Sequence, residues 1–301
     1  MPEVKDSNDQ TGISESFLKK LNSIKNIPTL PVILQKLGKE IRNPASDAKR
    51  IARIIEDDPA MMARILRVVN SAFYAAAEPV TSIQMAVARI GMTAVNNIAM
   101  STAVFSAFGK AGTEFNRQEF WKHSICTGIA ASVLYERVRP VMPERFGKDI
   151  LHLSGLLHDI GKIIFEQFFH SEFLQSVKKS ETDKIPLYEA EKLIIGESHM
   201  NVGAWIGQKW NIADELKSVI LFHHDPDRAG EKHWGLPGLV HVANYICVVE
   251  KLGNGGDSVP ISMQPIWDRF GLAGADISAI VATVNEESRK SEVLMTFANG
   301  K

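Results

Sequence analysis

Apolar residues recur along this chain at helical spacing, and alternating β-branched runs of strand type are absent. Leu30-Pro31 opens a segment in which Ile33, Leu34, Leu37 and Ile41 share one helical face, and Asn43-Pro44 closes it. Asp47 is placed to cap the next helix, whose apolar face is Ile51, Ile54 and Ile55. Asp58 followed by Pro59 makes an N-cap and first-turn pair ahead of Met62, Ile65, Leu66 and Val69. Ser82 begins a helix carrying Ile83, Val87 and Ile90, which Gly91 ends, and a further helix is expected from Thr93 to Phe108. The stretch GKAGTEFN, residues 109–116, is the clearest break. Beyond it helices are expected near 117–138, 150–168, 187–195, 199–210, 213–223 and 237–252. KLGNGGDSVP, residues 251–260, reads as a Gly-rich turn, and a short helical tail with Ile277, Ile280 and Val281 should pack back onto the body. The pattern predicts an all-α protein in two lobes that meet near residue 112. A flexible N-terminus is expected over 1–18, an N-terminal helical lobe over 19–111, a second helical domain over 112–252 and a helical tail over 253–301.

Composition narrows the function. With 34 basic against 35 acidic residues, the chain carries no excess charge for a broad nucleic-acid surface. An apolar content of 45% is that of a soluble globular protein, and a chain of 301 residues is long enough for a real core. Every long apolar run is interrupted by charge or glycine, so no membrane span is expected. The opening MPEVKDSNDQTGISES is polar and lacks the apolar segment of a signal peptide. Cys126 and Cys247 sit in apolar helical contexts without a CxxC pattern and read as reduced core thiols of a cytoplasmic protein.

The candidate chemistry begins at LSGLLHDIGKIIFEQFF, residues 153–169, where His158, Asp159 and Lys162 stand among apolar and small residues. Polar groups in such a place cost free energy unless paired or bound to a metal. Glu119 and His123 are four residues apart and share a helix face. His199 precedes Gly203, and His223-His224 ends a helix. Each has an ordinary role that competes: a core histidine for His123, a C-cap on the helix dipole for the His223-His224 pair, a buried hydrogen bond for the His-Asp doublet. Five imidazoles and two carboxylates on separate helices suit iron, manganese or zinc better than magnesium or calcium. His152, His170 and His233 lack matching partners and read as surface residues, whereas His241, three residues before Asn244, is placed to approach the rim.

The runs LPVILQKL, IARIIEDDPAMMARILRVVNSAFY and VTSIQMAVARIGMTAVNNIAM resemble the HDOD family, and the likeness extends roughly over residues 20–250. In that family a helical lobe of this pattern precedes a modified HD-type domain, and its members are known mainly as regulatory and signalling modules. Within NSAFY, Asn70, Ser71 and Tyr74 read as a helix end and turn, with Phe73 packed inward; a partner-binding groove is the alternative. The His158-Asp159 doublet is similar to the one that ligates metal in HD hydrolases. His199 with Gly203, and the pair His223-His224, match segments of the HD phosphodiesterases that carry a GYP motif. The resemblance therefore implies a ligand set of Glu119, His123, His158, Asp159, His199, His223 and His224 for one or two divalent ions, iron favoured over manganese or zinc. Lys162 lies three and four residues beyond the doublet, on its face, and reads as a cation behind the ligands or facing a phosphate. Two departures stand out: Asn244 replaces the final aspartate of the active enzymes, and DPDRAGEKHWGLP lacks the GYP motif. The implied protein is a metal-binding, catalytically impaired signalling protein that acts through protein partners, with a nucleotide-like ligand as a gate and no membrane partner. Its alternatives are an active phosphodiesterase on a nucleotide or cyclic dinucleotide, and an interaction module with an empty pocket.

Overall fold

The computed structural model describes residues 12–298 except 42, 44–46, 72–78 and 109–113. Among the described residues every regular element is a helix. The first lobe comprises α1 (Glu15–Ser23), α2 (Val32–Ile41), α3 (Ala48–Glu56), α4 (Pro59–Val69), α5 (Ile83–Ile90) and α6 (Met92–Ala107). The expected caps form: Asp47 accepts from Arg50 N at 2.9 Å, Asp58 from Met61 N at 3.0 Å and Ser82 from Met85 N at 3.1 Å. Asn70 caps the end of α4, and its amide makes two 2.7 Å bonds with the backbone of Val80. It thus pins together the ends of a segment whose Ala72–Tyr74 lie outside the described residues, as do Pro44 and positions 109–113 of GKAGTEFN.

The second lobe follows with α7 (Arg117–Val138), α8 (Lys148–Leu157), α9 (Ile160–Phe168), α10 (His170–Asp183), α11 (Leu187–Ile194), α12 (His199–Lys209), α13 (Asp214–Phe222) and α14 (Gly235–Val249). It ends in α15 (Gln264–Phe270) and α16 (Gly274–Ala298). A backbone-to-backbone crossing organises this lobe: a Cβ on Gly155 of α8 would lie 2.1 Å from the nitrogen of Gly128 in α7. One hydrophobic cluster joins Leu37, Ile65 and Val95 of the first lobe to Trp121, Leu156 and Trp205 of the second. Trp210 Nε1 adds a 2.8 Å bond to the carbonyl of Pro28 across the same junction. A second cluster gathers α7, α14, α15 and α16 around Leu134, Leu239 and Trp267.

Four expectations are corrected. Helix α1 begins within the supposedly flexible N-terminus, because Ser14 caps it and Phe17 and Leu21 are buried, with Phe17 stacked 5.4 Å from Phe169. The span 150–168 is two helices, interrupted at His158-Asp159. The tail is no short appendage: α16 runs to Ala298 and packs on α7, α6 and α4, so it touches both lobes. His152 is buried between α6 and α8, with Nε2 3.0 Å from Ser101 Oγ, rather than at the surface.

Burial of His152 has a consequence for acid stability. It lowers the imidazole pKa from 6.5 to about 4. Between those values the unfolded chain takes up a proton that the folded chain refuses, so stability falls as pH drops through this window. The shift corresponds to about 3 kcal/mol at its acid end. Denaturant unfolding at pH 7 and pH 4.5 should show a smaller acid loss in His152→Gln than in the wild type.

Candidate metal centre

The interruption between α8 and α9 builds the site. His158 caps the end of α8 and Asp159 begins α9, so one turn delivers both side chains into the interior, each 0% exposed. Three other elements converge there. His123 comes from the middle of α7, His199 is the first residue of α12, and His223 with His224 follows α13. Four imidazole Nε2 atoms surround one carboxylate: His158 at 3.2 Å and His123 at 3.9 Å from Asp159 Oδ2, His199 at 3.3 Å and His223 at 3.5 Å from Oδ1. Donor atoms of Asp159, His199, His223 and His224 lie within 4.8 Å of one another, as do those of His123, His158 and Asp159. Asp159 belongs to both groups.

The hydrogen bonds behind these rings decide what the Nε2 atoms offer. His158 Nδ1 lies 2.7 Å from the carbonyl of Gly155, His223 Nδ1 lies 3.1 Å from that of Ile220, and His199 Nδ1 lies 2.7 Å from Glu191 Oε2. Carbonyl oxygens only accept, so in His158 and His223 the proton is assigned to Nδ1 and Nε2 presents a lone pair. The Nε2 atoms of His123, His158, His199, His223 and His224 are buried without a hydrogen-bond partner. Lone pairs turned on a buried carboxylate repel it, and an arrangement of this kind is completed by a cation. The 3.2–3.9 Å separations approach the roughly 3.0–3.4 Å expected between ligands held about 2.1 Å from one ion. The residues therefore fit a divalent transition metal.

Electrostatics agree. Burial keeps the imidazoles neutral, lowering the pKa to about 3 for His123 and His199 and to about 4 for His223. Burial opposes ionisation of Asp159, but the Lys162 ammonium bonded to it favours the charged form, and the carboxyl lies well below its usual range. Lys162 Nζ is fully buried, 2.7 Å from Asp159 Oδ2 and 2.5 Å from Asp257 Oδ2. Burial disfavours its charge, yet the two carboxylates more than compensate and the pKa rises. Burial pushes the Glu191 carboxyl well upward, against the His199 N–H that donates to it at 2.8 Å.

The Gly-rich turn closes over this cluster. A Cβ on Gly255 would stand 2.9 Å from His123 Cδ2 and 3.2 Å from Asp159 Oδ2, so only glycine lets the chain lie so close. Asn254 N donates to the carbonyl of Glu119 at 2.9 Å, and Asp257 reaches Lys162. Glu119 is therefore corrected: it is in neither group of donors and serves the turn through its backbone, half-buried in the first turn of α7. His241 approaches from behind, its Nδ1 2.9 Å from the carbonyl of His223. Asn244 is buried beside His123, and its Oδ1 has no partner. Sequence reasoning missed Glu191 and Asp257. Glu191 had a signal, since it interrupts the apolar face formed by Leu187, Ala190 and Ile194. Asp257 had none.

The family model for the HDOD domain matches residues 27–226. A crystal structure of an HDOD domain protein with unknown function from Geobacter sulfurreducens superposes with a TM-score of 0.76 at 26% identity, covering 92% of this chain and 96% of that one. A candidate signal transduction protein of Marinobacter aquaeolei VT8 gives a TM-score of 0.76 at 22% identity, over 95% of this chain and 62% of that one, a likeness of fold. An uncharacterized protein of Treponema pallidum (strain Nichols) is 26% identical over 225 residues, 73% of this chain and 42% of its own. The chain thus spans less than half the length of that relative.

Proposed function

This chain belongs to the HDOD family, and from that premise we propose a cytoplasmic signalling module in which an HD-type centre holds metal without turning over substrate. The supporting observation is closure. His158, Asp159, Lys162, His199 and His223 are each 0% exposed. Hydrolytic metal sites keep a coordination position open for water and substrate, whereas structural sites are enclosed by their ligands. Here the turn around Gly255 lies on the cluster, and Lys162 is neutralised by two carboxylates. Asn244 supplies a neutral amide where a hydrolase would use a second anion. A metal held by these residues would tie α7, the α8–α9 junction, α12 and α13 into one body, and output would pass to protein partners from its surface. No helix among the described residues is long and apolar enough to cross a membrane. A second reading, hydrolysis of a nucleotide or cyclic dinucleotide, draws on the two donor groups that share Asp159, the layout of a two-ion site.

Elemental analysis of protein purified without chelator tests the metal, iron being favoured over manganese and zinc; the expected content approaches one ion per chain. With iron or manganese supplied, no turnover of cyclic dinucleotides is expected. Asn244→Asp should raise metal occupancy before it raises any activity, because a carboxylate adds charge at a buried donor position. Robust hydrolysis by the wild type, lost in His158→Ala, would replace this reading with the second.

A further inference from the structure

Away from the metal centre, a partly open cavity of about 330 Å³ lies between the lobes. That is within the range, from about 300 Å³ upward, in which small-molecule sites fall, and such sites favour junctions between structural units. Its lining is mainly apolar, with Leu34, Met100, Val104, Leu153, Leu157 and Trp210. Two exposed lysines contribute to its lining, one from each lobe: Lys39 in the last turn of α2 and Lys209 in the last turn of α12. Among the described residues no carboxylate pairs with either, and Lys209 rests 4.9 Å from the centroid of the Trp205 ring. Asp149, the acid in the lining, is hydrogen-bonded to Asn96, and burial pushes its pKa up.

Gly38 supplies an independent observation. It lies inside α2, where glycine is less favourable than alanine by roughly 0.5–1 kcal/mol. A glycine in such a place commonly marks a close approach by another chain segment. Here a Cβ would meet nothing within 4 Å, and the residue lines the cavity. The missing side chain leaves space open.

We infer that this interlobe cavity binds a small apolar or aromatic anion, its body among the leucines and Trp210 and its head between Lys39 and Lys209. The assignment does not depend on the metal reading, yet the two sites are joined by continuous helices. Leu153 and Leu157 of α8 face the cavity just before His158, and α12 runs from His199 to Lys209.

The test uses the full chain and two fluorescent probes: 1-anilinonaphthalene-8-sulfonate, an aromatic body with one sulfonate, and N-phenyl-1-naphthylamine, a similar body without charge. The sulfonate probe should bind saturably at one site per chain, and decanoate should displace it. Gly38→Phe, which fills the void from a position with no steric neighbour, should abolish binding of both probes. Should that variant melt early, Gly38→Met reports the same with a smaller side chain. Combined Lys39→Gln and Lys209→Gln should weaken the sulfonate probe about tenfold and leave the neutral probe unchanged. Absence of saturable binding, wild-type affinity in the filled variants, or equal loss of both probes in the lysine variant would overturn the assignment.

Discussion

Gly155→Ala is expected to be strongly destabilising, at about 3 kcal/mol or more. The added methyl would stand 2.1 Å from the nitrogen and 2.3 Å from the Cα of Gly128, and 2.5 Å from the carbonyl carbon of Thr127. All three are backbone atoms within a helix, so no flexible side chain can give way; α7 and α8 must separate instead. Overpacking of an ordinary core costs about 1–3 kcal/mol, and a rigid backbone contact belongs at or beyond the upper end. A loss of about 3 kcal/mol lowers the melting temperature by roughly 5 °C in a chain of 301 residues. The same crossing positions Gly155 O against His158 Nδ1, so the variant should lose metal along with stability. The identical change at Gly38 should act the other way, raising stability by about 0.5–1 kcal/mol through helix propensity alone. Thermal unfolding of the two variants side by side checks both signs, and a stable Gly155→Ala protein would refute the backbone crossing.

Asp159→Asn should be the most damaging isosteric change at the metal centre. It removes the only group shared by both sets of donors and one of the two anions that hold Lys162. Metal content should fall to background. The protein should also lose about 3 kcal/mol, the lower end for breaking a buried charge pair, since Asp257 still faces the lysine. Stripping metal from the wild type separates the two contributions, because a ligand bound only by the folded state stabilises it by mass action, about 4 kcal/mol at a thousandfold excess over Kd. Wild type and variant with equal metal in elemental analysis would show that the cluster is not where metal binds.

Much of this was legible from the pattern of residues, and the failures share a cause. Caps and periodic apolar faces are local, and so Asp47, Asp58, Ser82 and α7 fall where periodicity and cap chemistry place them. Helix α10 was invisible because HSEFLQSVKKSETD buries only Phe173, Ser176 and Ser180, too few apolar positions to mark a face. The break at His158-Asp159 was hidden because the apolar residues on either side continue as though one helix ran through. His152 and Glu119 were misplaced for the opposite reason: each fate depends on a distant segment, Ser101 for one and Asn254 for the other. Asp257 reaches Lys162 across 95 positions of sequence, and nothing local announces a contact of that span.

The match to the family model ends at residue 226, but the structure does not. Helix α14 lies beyond it and carries His241, which steadies His223, and Asn244, beside His123. It also contributes Leu239, Val240, Val242 and Ala243 to the core, and α16 then spans both lobes. What is inherited as a recognisable unit is therefore shorter than what must fold as one. A protein excised to the matched boundaries would keep every histidine at positions 123, 158, 199, 223 and 224 yet lose the scaffold that aims His223 and walls the centre. Ligand lists transferred between relatives at the level of the matched segment would in this case carry over the donors without the architecture that makes them a site.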